Sequence, residues 1–124
     1  MVLCFEVPLN KYLVLGNPIE HSLSPQIHQF FAQESGLVIS YGRHLVPLES
    51  FNESINALVD SGYVGFNVTV PFKEEAYKRV DSSDQISSEA QAVNTIRVDS
   101  AGELHGFNTD VLGLTRDLIH RHGI

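Results

Sequence analysis

Two rhythms of apolar and polar positions alternate along the chain: short runs of strand type, and stretches repeating every three or four residues. Residues 11–16, KYLVLG, form an apolar run ending in glycine, the pattern of a buried strand. A polar loop over 17–23 leads to a helix start at Ser24, with Pro25 at its first position. Ile27, Phe30, Phe31 and Ala32 recur at helical spacing before Gly36 stops the run. Residues 40–47 read as a second strand. Phe51, Ile55, Leu58 and Val59 then mark one face of a second helix that ends near Gly62. The third strand, 64–70, is rich in β-branched residues and ends at Pro71. Phe72, Ala76, Tyr77 and Val80 outline a short third helix, and 81–89 is a polar stretch. Residues 94–98 and 103–106 predict a strand pair around a Ser-Ala-Gly turn. Residues 110–120 are amphipathic through Val111, Leu114, Leu118 and Ile119.

Strand and helix alternate three times before the late pair, which is the order of crossovers over a parallel sheet. The fold predicted is α/β: three layers, α/β/α, with a mostly parallel sheet plus a late antiparallel strand pair. No repeat, low-complexity segment or linker interrupts residues 1–124, so a single domain is expected, with its core at about 11–119. Ligands of such sheets bind beyond the carboxyl ends of the strands. Here those ends lead into loops 17–24, 69–73 and 107–110, each rich in hydroxyl, amide or charged groups.

Composition narrows the classes. The chain has 124 residues, 43% hydrophobic and 19% charged, as in a globular protein with one real core. No apolar run approaches the roughly 18 residues of a spanning helix, so no membrane is expected. Residues 1–9 carry Glu6 and lack a basic front end, which makes a poor signal peptide. The lone Cys4 has no partner for an intramolecular disulfide, so a reducing cytoplasm is the natural compartment. A net charge of −7, with eight scattered Lys and Arg, argues against nucleic acid. It leaves room for a small anion, because screening limits distant surface charge to about 8 Å and local donors decide. Among the six histidines, His21 and His28 stand seven apart and His120 and His122 two apart. Neither spacing makes a helical metal pair, and no metal is expected.

Each polar loop admits a structural role and a functional one. Ser24 can cap a helix with Ser22 in the preceding loop; equally, two hydroxyls beside free helix amides suit a carboxylate. Asn67 and Thr69 are two apart in a strand and share a face, either bonded within the core or turned to a ligand. Lys73 stands in the first turn of a helix, where a cation opposes the dipole. Asn94-Thr95 and Asn108-Thr109-Asp110 form the third set, with Asp110 placed to cap the last helix. Each structural role suffices singly; their joint occurrence asks for a common cause.

Together these segments closely resemble the shikimate dehydrogenases, which interconvert 3-dehydroshikimate and shikimate in aromatic amino-acid biosynthesis. The resemblance runs through GNPIEHSLSP at 16–25, NVTVPFKEE at 67–75, AVNT at 92–95 and GFNTD at 106–110, in the family's order and spacing. It implies that Ser22 and Ser24 hold the substrate carboxylate, and that Asn67, Thr69, Asn94 and Asp110 surround the ring and its hydroxyls. By the same resemblance Lys73 is catalytic beside Asp110, the two acting as one proton relay. It further implies NADP as cofactor, bound by a second domain that this chain lacks; no Gly-x-Gly-x-x-Gly turn occurs here, and no cofactor is expected on the chain itself. The family's late glutamine would lie beyond Ile124. Val111 departs from the family's usual glycine. The expected activity therefore belongs to the intact enzyme, with the isolated chain inactive toward a small-molecule substrate that it binds weakly. Two alternatives remain open: a quinate/shikimate dehydrogenase domain, and a non-catalytic binding module on the same fold.

Overall fold

A computed structural model of the protein describes residues 9–110. Cys4, His120, His122, Val111 and the helix expected beyond Asp110 lie outside the described residues. Six strands form one sheet: β1 (Asn10–Gly16), β2 (Ile39–Leu45), β3 (Gly65–Val68), β4 (Ser82–Ser83), β5 (Thr95–Val98) and β6 (Leu104–Phe107), in the order β2-β1-β3-β5-β6-β4. Four helices accompany them: α1 (Ser24–Glu34), α2 (Phe51–Asp60), α3 (Lys73–Arg79) and α4 (Gln85–Ala90). β1 pairs in parallel with β2 and β3, and β4 with β6, whereas β5 runs antiparallel to both β3 and β6. The sheet is mostly parallel with a late antiparallel hairpin, as its sequence pattern predicts.

The order also fixes the layers. The chain steps from β1 outward to β2, then back past β1 to β3. Right-handed connections in opposite directions must cross opposite faces, so α1 covers one side and α2 the other. β1 alternates accordingly. Leu13 and Leu15 face Phe51, Ile55, Phe66, Val68, Phe72 and Ala76 in the main core, while Val14 joins Tyr41 and Ile19 on the α1 side. β1 and β3 are neighbours whose following helices lie on opposite faces. The gap between their carboxyl ends is the topological switch point.

Several boundaries differ from the sequence pattern. β3 stops at Val68, because Phe72 N–H turns back to Thr69 O and Pro71 offers no donor; Val70 is left 61% exposed. The polar stretch 81–89 holds β4 and α4. Asp81 and Asp84 donate their amides to Leu104 O and Gly106 O, and the Asp84 carboxylate caps α4 at Ser87 N (2.9 Å). The apolar face of α1 is only partly used: Ala32 is buried, but Phe30 and Phe31 are each 58% exposed. Among the described residues, no helix is long and apolar enough to cross a membrane.

The carboxyl ends of β1 and β3 approach closely. A Cβ placed on Gly16 would meet Thr69 Cγ2 at 2.5 Å and Val70 O at 3.2 Å, the second a backbone atom with little freedom to retreat. Gly16→Ala should therefore destabilise the chain by about 1–3 kcal/mol through overpacking, measured as a lower urea midpoint with unchanged slope. A midpoint equal to that of the parent would show that the two strand ends have room to separate.

Candidate active site

Three loops meet at the switch point, tied by Asn17. Its amide donates to Val70 O (3.1 Å) and its side chain to Val46 O (3.0 Å), so the segments following β1, β2 and β3 are bonded to one residue. Between them lies a cavity of about 180 Å³, lined by Pro18, Ile19, His21, Ser22, Thr69 and Val70. A larger hollow of about 630 Å³ spreads over the α1 face, walled mainly by apolar side chains such as Phe31, Ile39 and Ile96, with Tyr41, Asn67 and Thr95 at its polar margin. Of the residues named from the sequence, Ser22 and Thr69 line the smaller cavity, and Asn67 and Thr95 the larger.

α1 begins at Ser24 as its sequence predicts, but Ser24 does not cap it: the residue before the helix is Leu23 and no side chain caps it. Ser24 is the first residue of α1, and its N–H donates to Ser22 Oγ (3.3 Å). Likewise Asp110 N–H donates to Asn108 Oδ1 (3.0 Å). In each loop the earlier side chain accepts the amide of the residue two places on, and the Ser24 hydroxyl and the Asp110 carboxylate find other partners. Arg43, from β2, donates to Ser22 O (2.9 Å) and brings a cation beside the serine loop.

Lys73 opens α3 directly after the Thr69–Phe72 turn, and its Nζ donates to Asp110 Oδ2 at 2.6 Å. The side chains remain 34% and 53% exposed, so the pair is open to a ligand. Val93 N–H donates to Lys73 O (2.9 Å), fixing α3 against the segment that enters β5. Asn94 is buried; its Nδ2 donates to Thr109 Oγ1 (2.9 Å), and its Oδ1 accepts from Thr109 N–H (3.1 Å) and the Thr95 hydroxyl (3.0 Å). Asn67 turns onto the α1 face, accepting from the Tyr41 hydroxyl (2.6 Å) and pointing its Nδ2 toward Asn94 O and Thr95 Oγ1. Ser22 and Thr69 thus share a cavity, Lys73 and Asp110 share a bond, and Asn67 and Asn94 share a network. No hydrogen bond among the described residues joins the serines directly to Lys73 or Asp110.

Tyr41 is the member of this group that the sequence pattern did not single out. Its ring stacks on His28 with centroids 4.5 Å apart, and burial pushes its phenol up to about 12, a hydrogen bond with Ser24 acting the other way. A different cluster, Asp99, Glu103 and His105, brings its ligating atoms within 4.8 Å of one another. Asp99 accepts from the amides of Ala101 and Glu103 and bonds His105 Nε2 (2.8 Å), while Ser82 Oγ meets the other ring nitrogen (2.6 Å). Those bonds occupy both carboxylate oxygens of Asp99 and both ring nitrogens, so the cluster serves as a lock on the β5–β6 turn. Among the described residues, the strand-to-helix turns lack the glycine-rich form that cradles a dinucleotide. The strand-to-helix connections at 17–23, 46–50 and 69–72 contain no glycine, so none lets backbone amides close around a pyrophosphate.

Comparison with known proteins adds the family. Residues 14–96 match the family described as the shikimate dehydrogenase substrate binding domain. A shikimate dehydrogenase (NADP(+)) of Alkalilimnicola ehrlichii is 50% identical over 114 residues, covering 92% of this chain and 42% of that protein. Among solved structures, shikimate dehydrogenase from Aquifex aeolicus superposes with a TM-score of 0.88 at 30% identity, over 97% of this chain and 45% of its own. Shikimate 5-dehydrogenase of Thermus thermophilus, in complex with shikimate, gives 0.81 at 35% identity, over 90% and 42%. The chain thus spans about two-fifths of the length of the relatives it matches.

The buried phenol makes a pH prediction. With its folded value raised from 10.0 to about 12, Tyr41 contributes stability that is complete below about pH 10 and is lost as pH rises toward about 12. Unfolding midpoints of the parent should fall across that alkaline window more steeply than those of Tyr41→Phe. Parallel alkaline profiles for the two proteins would contradict the assignment.

Proposed function

Because the chain belongs to the shikimate dehydrogenase substrate-binding-domain family, we propose that it forms the substrate-binding and acid–base half of an NADP-dependent shikimate dehydrogenase. The observation that carries this reading is the 2.6 Å contact between Lys73 Nζ and Asp110 Oδ2, groups 37 residues apart in sequence. An exposed pair of this kind contributes at most about 1 kcal/mol to stability, so stability alone gives little reason for it. Its chemistry is proton handling at a hydroxyl.

Shikimate presents a carboxylate at one end and hydroxyls at the other. The carboxylate fits the serine loop, where the hydroxyls of Ser22 and Ser24 stand at the positive end of α1 and the Arg43 guanidinium lies behind. Thr69, sharing the cavity with Ser22, and Asn94 serve the ring, with Asn67 behind them in the network. Converting the reacting hydroxyl to a ketone requires its proton to leave along with a hydride. Lys73 and Asp110 take that proton as one coupled unit, and return it in the reverse reaction. When bound, NADP supplies the hydride chemistry; the turns of this chain do not hold it, so the nicotinamide is brought by a part of the enzyme outside these residues. The 124 residues alone then bind shikimate weakly and do not turn it over. One cysteine suits a reducing cytoplasm.

Two variants separate the roles. In an enzyme completed with its cofactor-binding part, Lys73→Ala should lower turnover by about 100-fold or more through loss of acid–base assistance. Wild-type turnover in that variant would remove Lys73 from the relay. Ser22→Ala should instead weaken shikimate binding by about 1.5–3 kcal/mol, the range for a hydrogen bond to a charged group, in a calorimetric or NMR titration. An unchanged dissociation constant would place the carboxylate elsewhere.

A further inference from the structure

Tyr41 and Asn67 sit on strands that are not neighbours, since β1 runs between β2 and β3. Two strand spacings, about 9–10 Å across the sheet, and an offset of two residues along it separate them. A serine or threonine on β2 would fall short, and phenylalanine would arrive without a donor. Tyr41 is level with Tyr12 of β1 and Asn67 with Val14, so the tyrosine reaches diagonally across β1 and delivers its hydroxyl to Asn67 Oδ1 at 2.6 Å. His28, stacked on the ring with planes 7° apart and bonded through Nδ1 to Ser24 O (2.9 Å), holds the phenol in place.

The direction of the bonds is determined. Asn94 O is a backbone carbonyl and can only accept, so the Asn67 side that faces it (3.4 Å) must be the NH₂ group. Asn67 Oδ1 therefore faces Tyr41, and the phenol must donate. Asn67 Nδ2 continues to Thr95 Oγ1 (3.3 Å), whose own hydrogen passes to Asn94 Oδ1 (3.0 Å). With Thr109 N–H also on Asn94 Oδ1, the Asn94 carboxamide has a single orientation: its oxygen is turned inward. Of its two amide hydrogens, one goes to Thr109 Oγ1. The second has no hydrogen-bond partner among the described residues, beside the Thr109–Asp110 segment that carries the acid–base pair.

We propose that Tyr41 is a positioning residue for the ligand site, acting through a one-way hydrogen-bond chain from its hydroxyl via Asn67 and Thr95 that orients the Asn94 carboxamide to donate to the ligand. The ligand part of this assignment rests on the shikimate reading above. The chain of bonds does not, and the two are tested apart. Tyr41→Phe keeps the ring, its packing and its stacking on His28, and removes the donor at the head of the chain together with the hydroxyl's bond to Ser24, so a second variant that leaves Ser24 its partner is needed beside it. Thr95→Val interrupts the same chain at its third link with an isosteric side chain.

The experiment is an NMR study of the 124-residue chain with assigned Asn side-chain amides, without ligand and then titrated with shikimate. Without ligand, both variants should shift the Asn94 side-chain amide signals, although Tyr41 itself makes no bond to Asn94. With shikimate, each should weaken binding about 3–10-fold, the range of one lost neutral hydrogen bond. Tyr41→Phe added to Asn67→Ala should cost no further affinity, which a purely structural role for the phenol would not produce. Asn94 amide signals unmoved in both folded variants would overturn the chain, whatever the ligand does. Unmoved affinity, or additive losses in the double variant, would overturn the positioning role. Moved signals in a parent chain that does not bind shikimate would overturn the shikimate reading, and with it the ligand part of the proposal, while the bond chain stood.

Discussion

Everything at this site depends on how closely the carboxyl ends of β1 and β3 approach. The contact is possible because Gly16 has no side chain: the Thr69 methyl occupies the space a Cβ would take, and Asn17 then reaches both Val70 O and Val46 O. Two loops that diverge toward helices on opposite faces are thereby stitched at their roots. The crevice they leave is small and polar at its rim, in contrast to the broad apolar hollow on the α1 face. A change in that approach would move Thr69 and the start of α3 together, because Thr69 N–H donates to Leu15 O beside Gly16 and α3 follows directly from the next turn.

Electrostatics at the crevice are local. The chain carries −7 overall, yet Arg43 on β2 and Lys73 at the start of α3 bring cations to the loops that follow β1 and β3. Within about 8 Å these donors outweigh distant surface carboxylates, which salt screens. An anionic ligand can therefore be held by an acidic protein. Lys73 and Asp110 offset one another at 2.6 Å, so the positive field beside the serine loop comes from Arg43.

Much of the architecture was legible in the sequence because its signals are local. Leu13 and Leu15 alternate with Val14 across β1, and Phe51 and Ile55 repeat at helical spacing; each buried face could be read from a handful of neighbours. β4 and α4 could not be read that way. Asp81-Ser-Ser-Asp84 has no apolar pattern, and its strand exists only because Leu104 and Gly106 on β6 offer backbone partners from a distant stretch of chain. The caps failed for a subtler reason. Ser22-Leu-Ser24 and Asn108-Thr-Asp110 each contain two good capping residues, and composition cannot rank them. In the fold neither serine caps α1; Ser22 and Asn108 instead accept the amides of Ser24 and Asp110, a local turn that only backbone geometry decides.

Tyr41 shows where sequence reading ends for physical rather than statistical reasons. Its place in a strand is evident, but its use depends on which strand lies between it and Asn67, a property of strand order that no local pattern encodes. Burial explains why the phenol stays protonated far above neutral pH, and a protonated phenol is what an acceptor-facing carboxamide requires. The same network accounts for the otherwise costly polar residues of β3 and β5. Asn67 and Thr95, half-buried at the hollow on the α1 face, bond one another and lead to the buried Asn94. Polar groups kept inside a sheet at this expense are better explained by the direction they give Asn94 than by the stability they add, since apolar residues of similar shape would fill the same volume without needing partners.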